Sequence, residues 1–145
     1  LDPILGSRSE LLENVTNNII IPAHENLKDE LSNLNAKAQN FTTNPNTLAF
    51  SELRNAYVQT YISWQSVEMF SIGKAEEIDY VKSMNTYPCT PAFINNNIQS
   101  QSYDLNQSNN ASFKAQGLPA LDYMLYGFDV DSNQILNYYL QLADN

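Results

Sequence analysis

At 145 residues the chain has one domain's length, and its 43% hydrophobic content argues against wholesale disorder. The net charge is −9, and the seven Lys and Arg residues are scattered, so nucleic acid and anionic membrane surfaces, which need basic patches, are poor partners. A single cysteine, Cys89, excludes an internal disulfide and a Cys-based zinc site, and no apolar run is long enough to span a bilayer.

In chain order, Ser7 to about Phe41 reads as one helix. Leu12, Val15, Ile19, Leu27, Leu31, Leu34, Ala38 and Phe41 share a stripe. Pro22 lies inside it, removes a backbone donor and predicts a kink. "TTNPN" breaks the chain before a second long helix, expected from Thr47 to Ser71, with Leu53, Tyr57, Tyr61 and Trp64 at helical spacing, Glu68 on the same stripe and Gly73 marking the end. "KAEEIDYVKS" predicts a short helix, "MNTYPCTP" an extended or turning connector, and "AFINNNIQS" a third helical stretch. "SQSYDLNQSNNAS" has no core pattern and reads as a loop or weak helix. The last helix is expected over Ser132 to Leu142, led by the cap-rich "DVDSN". Strand signals are absent. The class is all-α, an up-and-down four-helix bundle with a kinked first helix.

Few side chains stand out for chemistry. His24 follows the proline by two residues and reads as a core-edge histidine bonded within the bundle; as a metal ligand it would need two further donors. Glu68, one turn after Trp64 and in line with large aromatics, would cost several kcal/mol if buried unpaired. It therefore reaches water, pairs with a cation such as Arg54, or belongs to a site. In "QGLPALDYMLYG", Gly117 permits a turn and Pro119 suits the first helical position. Asp122 then falls near the first turn, where the helix dipole favours an anion by about 0.3–1 kcal/mol. Leu118, Leu121 and Leu125 bury the element and Gly127 closes it. The chain opens with neither Met nor a basic-plus-apolar leader, which reads as a mature or trimmed chain whose export signal, if any, has been removed.

Five fragments, in this order, resemble the imelysin-like family: "NIIIPAHENL", "YISWQSVEMFSIG", "MNTYPCTPAFINNNI", "QGLPALDYMLYG" and "ILNYYLQLADN". The resemblance covers nearly the whole chain. It implies an exported bacterial protein, periplasmic or an outer-membrane lipoprotein, built from two similar four-helix bundles and tied to iron uptake. It also implies a family first classed as metallopeptidases. Residues 1–145 would then be a single bundle, the first of the two, whose partner is the second bundle or another copy.

The family's site surrounds a Gly-x-His-x-x-Glu motif, which falls here on Gly117, Leu118, Pro119, Ala120, Leu121 and Asp122. The glycine is kept, the acid is shortened and the histidine is replaced by Pro119. Proline has no side-chain nitrogen with which to bind a metal or carry a proton. A zinc peptidase normally needs three protein ligands and an activated water. The resemblance therefore implies a non-catalytic binding protein for iron, haem or another iron-containing ligand. Its expected pocket draws on Trp64, Glu68, Asn85, Tyr87, Pro88, Gly117, Asp122 and Tyr123, with Asp122 and Glu68 as the metal-ligand candidates. A metal-dependent peptidase and a purely structural bundle are the alternatives.

Overall fold

The structure, a computed structural model, describes residues 7–102, 104 and 109–143. Helix α1 (Arg8–Val15) starts on a reciprocal cap in which the Ser7 hydroxyl accepts from the Glu10 N–H and the Glu10 carboxylate accepts from the Ser7 N–H. A π-helical turn at Thr16–Ile20 joins it directly to α2 (Ile21–Thr43). The disturbance expected at Pro22 thus takes the form of a widened turn just ahead of the ring. That turn accommodates both the missing donor and the crowding of the preceding carbonyls.

Helix α3 (Thr47–Gln65) returns antiparallel to α2 after a short link, with the Asn46 side chain capping the Ala49 N–H. Asn26 donates to Ser63 at 2.7 Å, the Thr60 hydroxyl lies 3.2 Å from the Glu30 carbonyl, and Lys37 pairs with Glu52 at 2.9 Å. These cross-links step in opposite directions along the two helices and fix their register. Leu27, Leu34 and Phe41 recur every seventh residue along α2. They pack on a broad stripe of α3 comprising Ala49, Phe50, Leu53, Ala56, Tyr57, Thr60 and Trp64.

The predicted apolar stripe does not stay buried along its whole length. Leu12 is 56% exposed, Ile19 is exposed, and no residue of α1 is buried, because nothing among the described residues covers that end. Helix α3 also ends before Ser71. After Trp64 the backbone tightens into turns in which Ser66, Val67 and Glu68 all bond back to Ser63 or Trp64. This rotation sends Val67 into the core and Glu68 into solvent, so no unpaired carboxylate is buried.

The other half of the bundle is assembled from shorter pieces: α4 (Lys74–Glu77), α5 (Tyr80–Asn85), α6 (Pro91–Ser100), α7 (Asn110–Phe113), α8 (Gly117–Asp122) and α9 (Ser132–Ala143). A second π-helical turn, Tyr123–Gly127, extends α8. The expected single helix over "KAEEIDYVKS" is split into α4 and α5 by Asp79, which takes a left-handed conformation (φ 52°). Within "SQSYDLNQSNNAS", Asn109 caps α7, while residues 103 and 105–108 lie outside the described set. Asp131 caps α9 by accepting from the Asn133 N–H at 2.8 Å. The chain is an all-α bundle, with no strand among the described residues.

The split of the first stripe is measurable. Leu34→Ala should destabilise the fold by about 2–5 kcal/mol through the cavity it leaves. Leu12→Ala, on the same sequence stripe, should stay within about 0.5 kcal/mol. Urea denaturation of the two variants checks both values; equal losses would contradict the packing described.

A candidate ligand cleft beside Asp122

Helix α8 begins two residues earlier than the proline implied. Gln116 is the extended N-cap, Gly117 the first helical residue, and Pro119 the third, still within the turn whose N–H groups have no helical acceptor. Asp122 therefore closes α8, and no acid occupies its first turn. The dipole account of this carboxylate fails for that reason. Gly117 has φ +74°, and a Cβ there would sit 2.4 Å from the Met84 carbonyl oxygen and 2.5 Å from that of Ser83. The glycine lets α8 press its first turn onto the backbone of α5.

The far end of this element is closed by side chains from other helices. The last carbonyls of a helix lack internal partners. Here the Tyr139 hydroxyl donates to the Met124 carbonyl at 2.8 Å, and the Arg54 guanidinium donates through Nε and Nη2 to the Leu125 carbonyl. Arg54 also donates to Ser132 at 2.8 Å and lies between the rings of Phe50 and Tyr126, 4.2 and 4.5 Å from their centroids. It is thus bound at α8 and α9 and is not the partner of Glu68.

Between α3, α8 and the connector after α5 lies an open cleft of about 490 Å³. Tyr57, Val58, Tyr61 and Ile62 form its floor, Asn85, Tyr87 and Cys89 one wall, and Pro119, Asp122, Tyr123 and Gly127 the other. Pro119 and Asp122, three residues apart on a helix, present to the same space. The Tyr57 hydroxyl donates to the Leu118 carbonyl at 3.2 Å and also approaches the Asp122 carboxylate. Burial first, then Asp122, pushes the Tyr57 phenol well above its ordinary 10.0. Burial and the same carboxylate raise the Cys89 thiol, which keeps it in the unreactive form.

Of the residues expected around a pocket, Asn85, Tyr87, Asp122 and Tyr123 share this cleft. Asp122 and Tyr87 are solvent-accessible, Tyr87 at 85%, and the Tyr87–Pro88 peptide is cis, with Pro88 exposed beside it. The remaining three lie elsewhere. Trp64 is fully buried against Tyr80, ring centroids 5.5 Å apart, and its indole N–H has no partner among the described residues. Glu68 is exposed and accepts from Asn85 Nδ2 at 3.4 Å, at the back of the connector wall. Gly117 acts at the α5 contact. The sequence reading passed over Tyr57, Tyr61 and Cys89 as cleft residues. The two tyrosines stood on the predicted α3 stripe, but a stripe by itself reads as core. His24 is remote from the cleft, with Nδ1 2.9 Å from the Ile20 carbonyl.

Among the described residues, no three His, Cys, Asp or Glu side chains are grouped to hold a metal ion. Asp122 and Glu68 are not gathered with a third such donor, so the donor set does not fit a bare ion. What the cleft offers is one carboxylate, several phenol rings and an aliphatic floor.

The fold is an all-α bundle with a side cleft between α3, α8 and the connector after α5. The family model described as Imelysin (peptidase M75) matches residues 20–144, and the chain belongs to that family. No curated protein and no solved structure matches it. No helix among the described residues is long and apolar enough to cross a membrane.

Two outcomes follow from this geometry. Gly117→Ala should destabilise by more than about 2 kcal/mol, since both the positive φ and the α5 carbonyls oppose a methyl group; thermal melts read it, and a neutral change would refute the contact. Tyr57 and Tyr139 are both held above 10.0, chiefly by burial, so the folded state keeps protons that the unfolded chain releases. Their contribution is complete below pH 10 and declines as pH rises past it. Melting temperature should fall from about pH 10 upward, and Tyr57→Phe or Tyr139→Phe should flatten that fall. An unchanged slope in both would be inconsistent with the burial.

Proposed function

We propose that this chain is a non-catalytic, ligand-binding bundle of an extracytoplasmic imelysin-family protein, periplasmic or lipid-anchored at the outer membrane. It would serve bacterial iron or haem uptake, and the cleft beside Asp122 is its ligand pocket. The observation that carries the reading is the wall made by Pro119 and Asp122. The position that bears an imidazole in the family pattern holds a buried proline ring facing the cleft, three residues before the acid.

Hydrolysis through this wall would need a second proton carrier or a set of metal ligands. The other ionisable neighbours are phenols and a thiol; Tyr57 and Cys89 are held protonated by burial and by Asp122 itself. Binding asks less, namely a concave apolar surface and a few placed polar groups. Asp122, Asn85 and the Tyr123 hydroxyl, which accepts from Asn95 at 3.3 Å, supply the polar groups. The ligand is an iron-containing organic molecule, since the donor set does not suit a naked ion.

The cleft is open on one side, and the aliphatic part of its floor is left exposed, with Ile62 at 57% alongside Val58, while Tyr126 is exposed outside the lining. These support a second helical bundle, from the same protein or another copy, as the opposite wall.

The test pairs binding with turnover. Titration with haem and with ferric chelates, read by absorbance and by NMR shifts of Tyr61 and Asn85, should show saturable binding that Asp122→Ala weakens about fivefold or more. Peptide substrates should remain intact with or without chelator. Chelator-sensitive hydrolysis lost in Asp122→Ala would overturn the proposal, and so would an absence of binding by every iron compound.

A further inference from the structure

The charge of the cleft is one-sided. Among its lining residues there is no Lys, Arg or His, and Asp122 is the only carboxylate. Arg54 acts on the neighbouring Tyr126, but its donors are engaged by Leu125 and Ser132 and its faces by Phe50 and Tyr126. The ion pairs formed among the described residues are Lys37–Glu52, Lys74–Glu77 and Lys82–Asp79, and none reaches Asp122. The net charge of −9 deepens the negative potential.

The acceptor capacity of the carboxylate is also largely unspent. An ionised carboxylate offers about four lone-pair sites. The single Tyr57 proton, already 3.2 Å from the Leu118 carbonyl, can fill at most one of them. Around the acid stand the rings of Tyr57, Tyr61 and Tyr123 above the aliphatic surface of Val58 and Ile62. A carboxylate beside aromatic faces and aliphatic surface is the chemistry that holds an organic cation. The carboxylate takes the charge, the rings attract it through their quadrupoles, and the apolar floor takes its substituents.

We infer that the Asp122 cleft recognises an organic cation, an ammonium or guanidinium group carried on an apolar body, and selects it over neutral and anionic molecules of the same shape. The inference rests on the proposal above that this cleft is the ligand pocket, and it names the group that the pocket reads. An iron-containing ligand bound there would present an amine or guanidine substituent to Asp122 and keep any carboxylates, such as the propionates of haem, turned to solvent. A bare divalent ion lacks the further ligands it needs, and an anion meets the repulsion of Asp122 with no cationic side chain in the lining to offset it.

Benzyltrimethylammonium, benzylammonium, benzyl alcohol and benzoate, titrated into the labelled chain and followed by NMR, separate charge from shape. The two cations should shift Tyr61, Asn85 and Tyr123 and bind about tenfold more tightly than the alcohol at low salt, the margin shrinking as salt is added. Asp122→Asn, an isosteric change at an exposed position, should abolish that margin, the cations falling to the affinity of the alcohol. Equal binding of alcohol and cation at the cleft, or a preference that survives in Asp122→Asn, would overturn charge selection while leaving the pocket itself standing. If no probe moves a cleft resonance, and haem and ferric chelates also fail to, the pocket proposal falls with it.

Discussion

The guanidinium of Arg54 sits where three parts of the bundle meet, and the candidate site depends on that junction. From α3 it reaches the Leu125 carbonyl in the turn after α8, the first residue of α9, and the faces of Phe50 and Tyr126. A hydrogen bond from a charged donor contributes roughly 1.5–3 kcal/mol and each cation–π contact about 0.5–2 kcal/mol. A positive charge at a helix C-terminus also complements the dipole there. Tyr139 closes the neighbouring carbonyl from α9. Together they hold a short, widened helix that has little cohesion of its own, because so few residues cannot nucleate a stable helix unaided.

The opposite end of α8 is fixed by the absence of a side chain. Gly117 brings the first turn against the α5 carbonyls, so α8 is clamped between a steric contact at one end and an electrostatic cap at the other. Between the clamps, Leu118, Ala120 and Leu125 face the core, while Pro119, Asp122 and Tyr123 face the cleft. A carboxylate so placed is neither buried at a cost nor used as a cap, and it stays open to whatever enters the cleft.

Much of this was legible in the residues. The seven-residue recurrence of Leu27, Leu34 and Phe41 and the broad stripe of α3 carry the helical hairpin in plain view, and the family resemblance rests on fragments that the Imelysin match also spans. What the periodicity missed was decided by tertiary contacts. Nothing local distinguishes Leu12 from Leu34, since the difference is whether another helix lies opposite. The end of α3 depended on whether Val67 or Glu68 would face the core, a choice between burying a methyl-bearing side chain and burying a charge. Arg54 looked like a partner for a nearby acid. Only the fold shows that an uncapped carbonyl 71 positions away takes it instead. Four of the expected pocket residues share the cleft because helix ends and a connector converge there. Trp64 is directed into the core by its helical phase, while Tyr61 of the same stripe is left at the cleft.

The account stands on the claim that Arg54 holds the Asp122-bearing turn in place against α3. Hydrogen exchange followed by mass spectrometry, comparing the natural chain with Arg54→Met, tests it directly. The account predicts that amides of Tyr123–Phe128 and the first turn of α9 lose protection while the buried stretches of α2 and α3 keep theirs. Unchanged protection across that turn would contradict it, as would a uniform loss throughout the bundle.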